Sequence, residues 1–177
     1  MDRESFSGNV RSYNGAGRWS VEAVRDRYRE YCATSRVEHP RLLNPREHKE
    51  GEIHWIYPIM DEVIVGIAEG DPACISLGID FVEEDAHFPF GATLKSNTAR
   101  ALRRTELAED QKARLRRRIV HMLISGVIPR EMGEYAKLLR TIGVREQWER
   151  LEQGIPLENR YAMRFYKVLR AAEGLPD

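Results

Sequence analysis

The chain of 177 residues is long enough for one domain with a buried core, so its fold does not require disulfides. Charged residues make up 32% of the chain and hydrophobic residues 42%, which excludes disorder throughout and favours helices with solvated faces. The net charge at pH 7 is zero, which argues against the strongly basic character of a dedicated nucleic-acid-binding protein.

Cys32 and Cys74 are the only cysteines, and both fall in segments with a helical apolar period, so we expect two buried thiols. No apolar run approaches the roughly 18 residues that a membrane span needs, and the first residues contain no apolar signal segment. We therefore expect a cytoplasmic protein that is not embedded in a membrane.

Residues 1–18 contain glycine, serine and asparagine without hydrophobic periodicity, which predicts a flexible N-terminal arm before a single helical domain over 19–177. Ser20 is predicted to cap a first helix that ends near Thr34. Residues 38–52 contain two prolines and no apolar period, so we expect a linker there.

An apolar period of three to four residues runs from Ile53 to Ile67 and predicts a helix. Asp71 and Pro72 then suit the N-cap and the first position of a second helix, which is expected to end near Asp85. Because the chain turns sharply between the two segments, they are predicted to form an αα-hairpin.

The rest of the sequence predicts five more helices. These are a short helix around 94–102, longer helices over 106–125 and 129–142, a short helix around Trp148, and a last helix over 161–172. No segment shows the sustained alternation of a strand next to a hairpin turn, so we expect essentially no sheet. The predicted fold class is all-α.

Two hairpins within residues 53–143 are punctuated by glycine and proline, and they resemble the stacked helix pairs of HEAT and armadillo repeats. The resemblance is architectural, since the two hairpins share little sequence and their spacing of about 56 residues exceeds the usual 40–47 or so. Two pairs are also fewer than the three that stacking normally requires. A compact irregular helical bundle is the alternative.

Charge is divided unevenly along the chain. Residues 50–94 carry ten carboxylates and no lysine or arginine, whereas residues 95–118 carry nine basic side chains against three acidic ones. Either the basic helices pack beside the acidic ones, or both surfaces face outward and bind partners. The candidate binding surface consists of Arg100, Arg103, Arg104, Arg114, Arg117, Arg118, His121, Asp80, Glu83, Glu84 and Asp85. Its members Arg114, Arg117, Arg118 and His121 form what we call the arginine stripe.

The stretch DFVEEDAHFPFG, residues 80–91, places a histidine beside four acids and suggests a metal or acid–base site. Asp80, Glu84 and His87 share one helical face, and the Glu84-x-x-His87 spacing resembles that of di-iron helical bundles. His54 is a fourth candidate ligand from the preceding segment. Since the sequence contains no second copy of the motif, we expect no metal.

The same stretch has a structural interpretation. Acids in the last turn of a helix oppose its dipole by roughly 0.3–1 kcal/mol each unless a cation meets them. We expect Arg100, Arg103 and Arg104 on the next helix to supply that cation. Phe88 and Phe90 are expected to insert into the core.

No catalytic, phosphate-binding or dinucleotide motif is present, so we assign no catalytic residue and expect no cofactor. The sequence favours a non-enzymatic protein-interaction domain, a scaffold or adaptor, whose acidic and basic helical faces bind a protein partner or a second copy of the chain. A nucleic-acid-binding helical module that uses the arginine stripe is the alternative, although the stripe is not interleaved with exposed aromatic residues. A metal-dependent helical-bundle enzyme is a second alternative.

Overall fold

The computed structural model describes residues 5–7 and 9–174. Within these ranges the chain forms eight α-helices and one four-stranded sheet. The strands are β1 (Ser5–Ser7), β2 (Val10–Ser12), β3 (Glu47–Glu50) and β4 (Ile53–Ile56). The helices are α1 (Val21–Ser35), α2 (Met60–Ala68), α3 (Pro72–Glu84), α4 (Gly91–Arg103), α5 (Glu109–Ile124), α6 (Met132–Ile142), α7 (Trp148–Gly154) and α8 (Arg160–Ala172). The prediction of a predominantly helical chain is confirmed.

The prediction of essentially no sheet is wrong. β2 pairs antiparallel with β1 and parallel with β4, while β3 and β4 form an antiparallel hairpin, which gives the order β1-β2-β4-β3. Ile53 and Ile56 therefore belong to a strand and not to the predicted helix, which begins only at Met60. A strand of four residues is too short to show an alternating pattern, so its apolar residues fitted the helical period by coincidence.

Part of the predicted flexible arm belongs to the sheet as β1 and β2, and Asn14 joins it to the chain before α2. The Asn14 side chain accepts a hydrogen bond from the backbone N–H of Ile59 at 2.7 Å and donates one to the carbonyl of Tyr57 at 3.0 Å. Trp19, the first residue after the arm, is buried in the core. Residues 1–4 and 8 of the arm, and Pro176 beyond the last helix, lie outside the described residues.

The core is centred on α3. This helix contacts α1, α2, α4 and α5, which explains why its sequence is apolar on almost every side. Cys74 of α3 and Cys32 of α1 are both buried, as predicted, and burial raises the pKa of each thiol. The N-cap prediction is also confirmed, because the Asp71 carboxylate accepts hydrogen bonds from the N–H groups of Ala73 and Cys74.

The two predicted hairpins are joined by other helices. α2 contacts α3 and α5 contacts α6, as the sequence predicts, and α4 packs against α2, α3 and α6. α1 covers α3, while α7 and α8 contact α5. In the part of the chain that the structure describes, no helix has both the length and the apolar character needed to cross a membrane.

Candidate functional site

The acidic face of α3 and the arginine stripe of α5 meet inside the fold. Asp80 is only 6% exposed, and one of its carboxylate oxygens accepts hydrogen bonds from Arg27 at 2.6 Å and from the Tyr31 hydroxyl at 2.5 Å, both on α1. Its other oxygen accepts from Arg114 of α5 at 2.8 Å. Burial, reinforced by the hydrogen bond to Asp80, raises the pKa of Tyr31 to about 12. The Asp80 carboxylate therefore ties three helices together.

The neighbouring glutamates are paired as well. Glu83 accepts a hydrogen bond from Nε of Arg114 at 3.1 Å, and this contact raises the pKa of the arginine. Glu84 accepts from the Trp19 indole N–H at 2.9 Å and from Arg18 at 2.9 Å. Most of the predicted acidic surface is thus neutralised within the chain.

Asp85, at the end of α3, is met by Lys95 of α4, a residue that the sequence analysis did not single out. The Lys95 side chain is 4% exposed, and its Nζ atom forms ion pairs with Asp85 and, at 2.8 Å, with Glu131. A signal was present in the sequence, because Lys95 precedes the buried Ala99 and Leu102 by four and seven residues and so shares their helical face.

Arg100 and Arg103, which we expected to neutralise the end of α3, lie 3.5 Å from Glu134 of α6 instead. Arg104 is exposed, and its side chain has no partner among the residues described. The expected pairing is therefore wrong. These arginines are at the far end of α4, roughly 8–14 Å beyond Lys95 along the helix axis, and so cannot reach Asp85.

The four candidate metal ligands do not converge. His54 bonds to Glu47 across the β3–β4 hairpin at 2.8 Å, while arginines enclose Asp80 and Glu84. His87 lines a separate cavity of about 560 Å³ at the start of α4, where Lys95 and Glu131 pair with each other. Over residues 9–174, no three His, Cys, Asp or Glu side chains are arranged to hold a metal ion. This geometry does not support the metal-dependent alternative.

A second surface, which we call the aromatic–arginine face, was not expected from the sequence. It consists of Tyr13, Trp55, Tyr57, Phe90, Arg11 and Arg46. Arg11 of β2 pairs in register with Trp55 of β4, so both side chains lie on the same side of the sheet. The Arg11 guanidinium lies 4.6 Å from the centre of the Trp55 ring. Tyr13 and Tyr57 come two residues later on the same two segments and continue this side.

The rings of this face contact one another. Tyr13 stacks on Trp55 with the ring centres 5.9 Å apart and meets the Phe90 ring edge-on at 5.1 Å. Such arrangements contribute about 0.5–1.5 kcal/mol per pair beyond the burial of their surface. Arg46 lies 5.8 Å from the Tyr57 ring and completes the face.

Phe90 was expected in the core, and that prediction is wrong. Its side chain is 56% exposed, and its backbone adopts the left-handed conformation with φ of 61° at the N-cap of α4. Phe88, by contrast, is partly buried against Phe81, with ring centres 5.7 Å apart. The left-handed turn directs the Phe90 ring to Tyr13 and away from the core.

The arginine stripe is divided between the interior and the surface. Arg114 and Arg118 pair with acids of the α3 end, whereas Arg117 and His121 remain exposed.

The fold and these surfaces define a predominantly helical protein with a small mixed sheet. No protein-family model, curated protein or solved structure matches the chain. Its function is therefore inferred from its own side chains.

Proposed function

We propose that this protein is a non-enzymatic α-helical interaction domain, a scaffold or adaptor, that binds a protein partner through the aromatic–arginine face. The observation that carries the proposal is the group of four contacting rings beside two arginines at the surface. Trp, Tyr and Arg are the side chains most enriched at the energetic centres of protein interfaces. The charged helical faces, in contrast, are largely paired inside the fold.

The conformation of Phe90 supports a role for this surface. A left-handed backbone at a residue other than glycine costs about 1–3 kcal/mol, and an exposed phenyl ring gains little from burial. Phe90 is 56% exposed, so its contact with the Tyr13 ring offsets only part of that cost. Binding of a partner would cover the ring.

The face suits an extended, proline-rich segment that carries acidic side chains. Next to the rings of Tyr57 and Phe90 lies an apolar cavity of about 240 Å³ that is also lined by Pro58 and Leu94. Grooves lined by aromatic rings bind polyproline segments, whose conformation is already restricted before binding. Arg11 and Arg46 lie beside the rings. Arg46 also pairs with Asp61 at 3.4 Å, and Asp61 lines the same cavity, so only part of this positive charge is left to attract carboxylates on the partner.

The helices provide the scaffold for this face. We propose the compact irregular bundle in preference to a HEAT-like solenoid, because α4 lies against members of both predicted hairpins. In a solenoid each repeat contacts only its neighbours along the stack. The ion pairs of Asp80 then serve to join α1, α3 and α5.

Fluorescence anisotropy with a labelled oligoproline peptide flanked by aspartates tests the proposal. We expect the wild type to bind and the Trp55→Ala variant to lose about tenfold or more in affinity, since it removes the largest ring of the face. Tyr161→Ala is the matched control, because Tyr161 on α8 is an exposed tyrosine with the Arg160 guanidinium 4.7 Å from its ring. Its affinity should equal that of the wild type.

A second peptide of the same charge, with glycine and serine in place of proline, separates proline recognition from charge attraction. Equal affinity for both peptides, or equal affinity of wild type and Trp55→Ala, contradicts the proposal. Stronger binding of a single-stranded oligonucleotide, lost in Trp55→Ala, would replace it with the nucleic-acid alternative. Bases stack on aromatic rings. On this face arginines and aromatic residues alternate in space, although they do not alternate along the sequence.

A further inference from the structure

A separate charged cleft lies on the outer side of α5, where this helix contacts α7. Its volume is about 310 Å³, near the lower end of the roughly 300–1,000 Å³ typical of small-molecule sites. The lining residues are Arg114, Arg117, Arg118 and His121 of α5, Arg150 of α7 and Glu83 of α3. Five of these six side chains are basic. Arg114 and Arg118 pair with acids of α3, so Arg117 and Arg150 supply the positive charge that the chain leaves unbalanced.

The inner wall of the cleft is held in place by ion pairs. Arg114 donates to Asp80 at 2.8 Å, and Arg118 lies 3.4 Å from the Asp85 carboxylate. Because α3 anchors both guanidinium groups from below, a ligand would not need to order them. Preorganisation of this kind lowers the entropic cost of binding.

The outer wall carries cations that the chain does not neutralise. The Arg117 guanidinium has no hydrogen bond or ion pair with any described residue, and Arg150 makes only one long hydrogen bond, at 3.4 Å, to Gln147. The Nε atom of Arg118 is buried and has no acceptor over the described ranges. Arg117 and Arg150 are therefore the cations of the cleft whose hydrogen-bonding capacity is left for an anion.

We propose that this cleft binds a phosphoryl group. The planar guanidinium group donates two parallel hydrogen bonds to phosphate oxygens, and arginine is therefore the preferred residue for this anion. The lining side chains are five basic residues and one glutamate, so the polar groups of the cleft suit an anion. A nucleic-acid strand would in addition need rings for its bases and cations spaced along its backbone.

The site is independent of the aromatic–arginine face, and the same phosphoryl chemistry can be carried by a phosphorylated protein or by a free small molecule. Isothermal titration of the full chain with a phosphoserine peptide, its unphosphorylated twin and inorganic pyrophosphate distinguishes these sources. We expect binding of at least one phosphorylated probe and none of the unphosphorylated peptide. Tighter binding of the phosphoserine peptide indicates a phosphorylated protein as the source, and tighter binding of pyrophosphate indicates a free small molecule.

Arg117→Ala and Arg150→Ala are each expected to weaken that binding about tenfold, as is typical for loss of a charged hydrogen bond. Arg104→Ala is the matched control, because it removes the same charge from an exposed position outside the cleft. Thermal melting of Arg117→Ala should match the wild type, since its side chain has no partner among the residues described.

Three results would overturn the proposal. The first is that neither phosphorylated probe binds. The second is that Arg104→Ala weakens binding as much as Arg117→Ala, which indicates a general effect of charge. The third is that a single-stranded oligonucleotide binds far more tightly than both probes and that Arg104→Ala and Arg117→Ala weaken its binding equally. The oligonucleotide result would assign the arginines to nucleic-acid binding.

Discussion

Arg116 of α5 is a fully buried arginine, and its contacts show how a single residue can secure a helix end. Its guanidinium donates to the carbonyls of Ile142 at 2.8 Å and Gly143 at 2.9 Å, at the C-terminus of α6, and to Glu109 at 2.6 Å. The last carbonyls of a helix have no partner within the helix. A cation there stabilises the helix both by donating hydrogen bonds to these carbonyls and by its favourable interaction with the helix dipole.

Arg116→Met should therefore lower the free energy of unfolding by about 3 kcal/mol, because it leaves the two carbonyls of α6 without their donors. Urea denaturation followed by circular dichroism measures the change. The adjacent Arg117→Met is the control, and its stability should stay close to that of the wild type because Arg117 is exposed. Equal stability of the two variants would show that the Arg116 contacts contribute little.

At the scale of the elements, the ion pairs of Asp80 replace the catalytic or metal site that its sequence environment suggested. Arg27 and Tyr31 of α1 and Arg114 of α5 all donate to this one carboxylate on α3. These contacts explain how the acidic segment 50–94 and the basic segment 95–118 pack together in one fold. Removing Asp80 would take away one of two carboxylate partners from each arginine and the acceptor of the Tyr31 hydroxyl.

Asp80→Ala is expected to destabilise the protein by roughly 1–3 kcal/mol, since Tyr31 would lose its acceptor while Arg27 keeps Glu84 and Arg114 keeps Glu83 as partners. Asp26→Ala is the matched control, because Asp26 pairs with Arg29 at 2.5 Å but both side chains are exposed. Chemical denaturation measures the free energy of unfolding of the two variants and of the wild type. If both lose the same stability, the burial of Asp80 has no energetic consequence.

At the scale of the whole molecule, burial of ionisable side chains predicts how stability depends on pH. Burial raises the pKa of the Cys74 thiol above its ordinary value of 9.0 and that of the Tyr135 hydroxyl above 10.0. Both groups remain neutral in the folded protein at a pH where they ionise in the unfolded chain. Their stabilising contribution is complete below the unfolded pKa values and is lost as the pH rises toward the folded ones.

We therefore expect the free energy of unfolding to decline as the pH rises above about 9. Cys74→Ala should be less stable than the wild type at neutral pH, because it leaves a cavity, but its decline between about pH 9 and 10 should be smaller. Denaturation titrations across this range measure both slopes. Identical slopes would show that the Cys74 thiol does not contribute to the alkaline loss.

Part of the candidate surface could be predicted from the sequence and part could not. The division of charge and the arginine stripe could be identified in the sequence, and all four residues of that stripe line the cleft on the outer side of α5. Arg150, which completes the cleft, comes from a helix about 30 residues further along the chain, so only the packing of α7 on α5 brings it there. The aromatic–arginine face was hidden for the same reason, since β2 and β4 are separated by 44 positions in their pairing, as Arg11 and Trp55 show.

The sequence alone determined the helices from α3 onward and the N-caps of α1 and α3, because helical hydrogen bonds and caps join residues only a few positions apart. Tertiary packing decided three other features: the strand at Ile53, the partners of the α3 acids and the exposure of Phe90. Each depends on residues far away in the chain, and no local pattern encodes which distant partner arrives. The same separation explains why the charge pattern left two interpretations open, pairing of the acidic and basic helices within the fold or binding of partners by both surfaces. The structure pairs acids of α3 with arginines of α1 and α5.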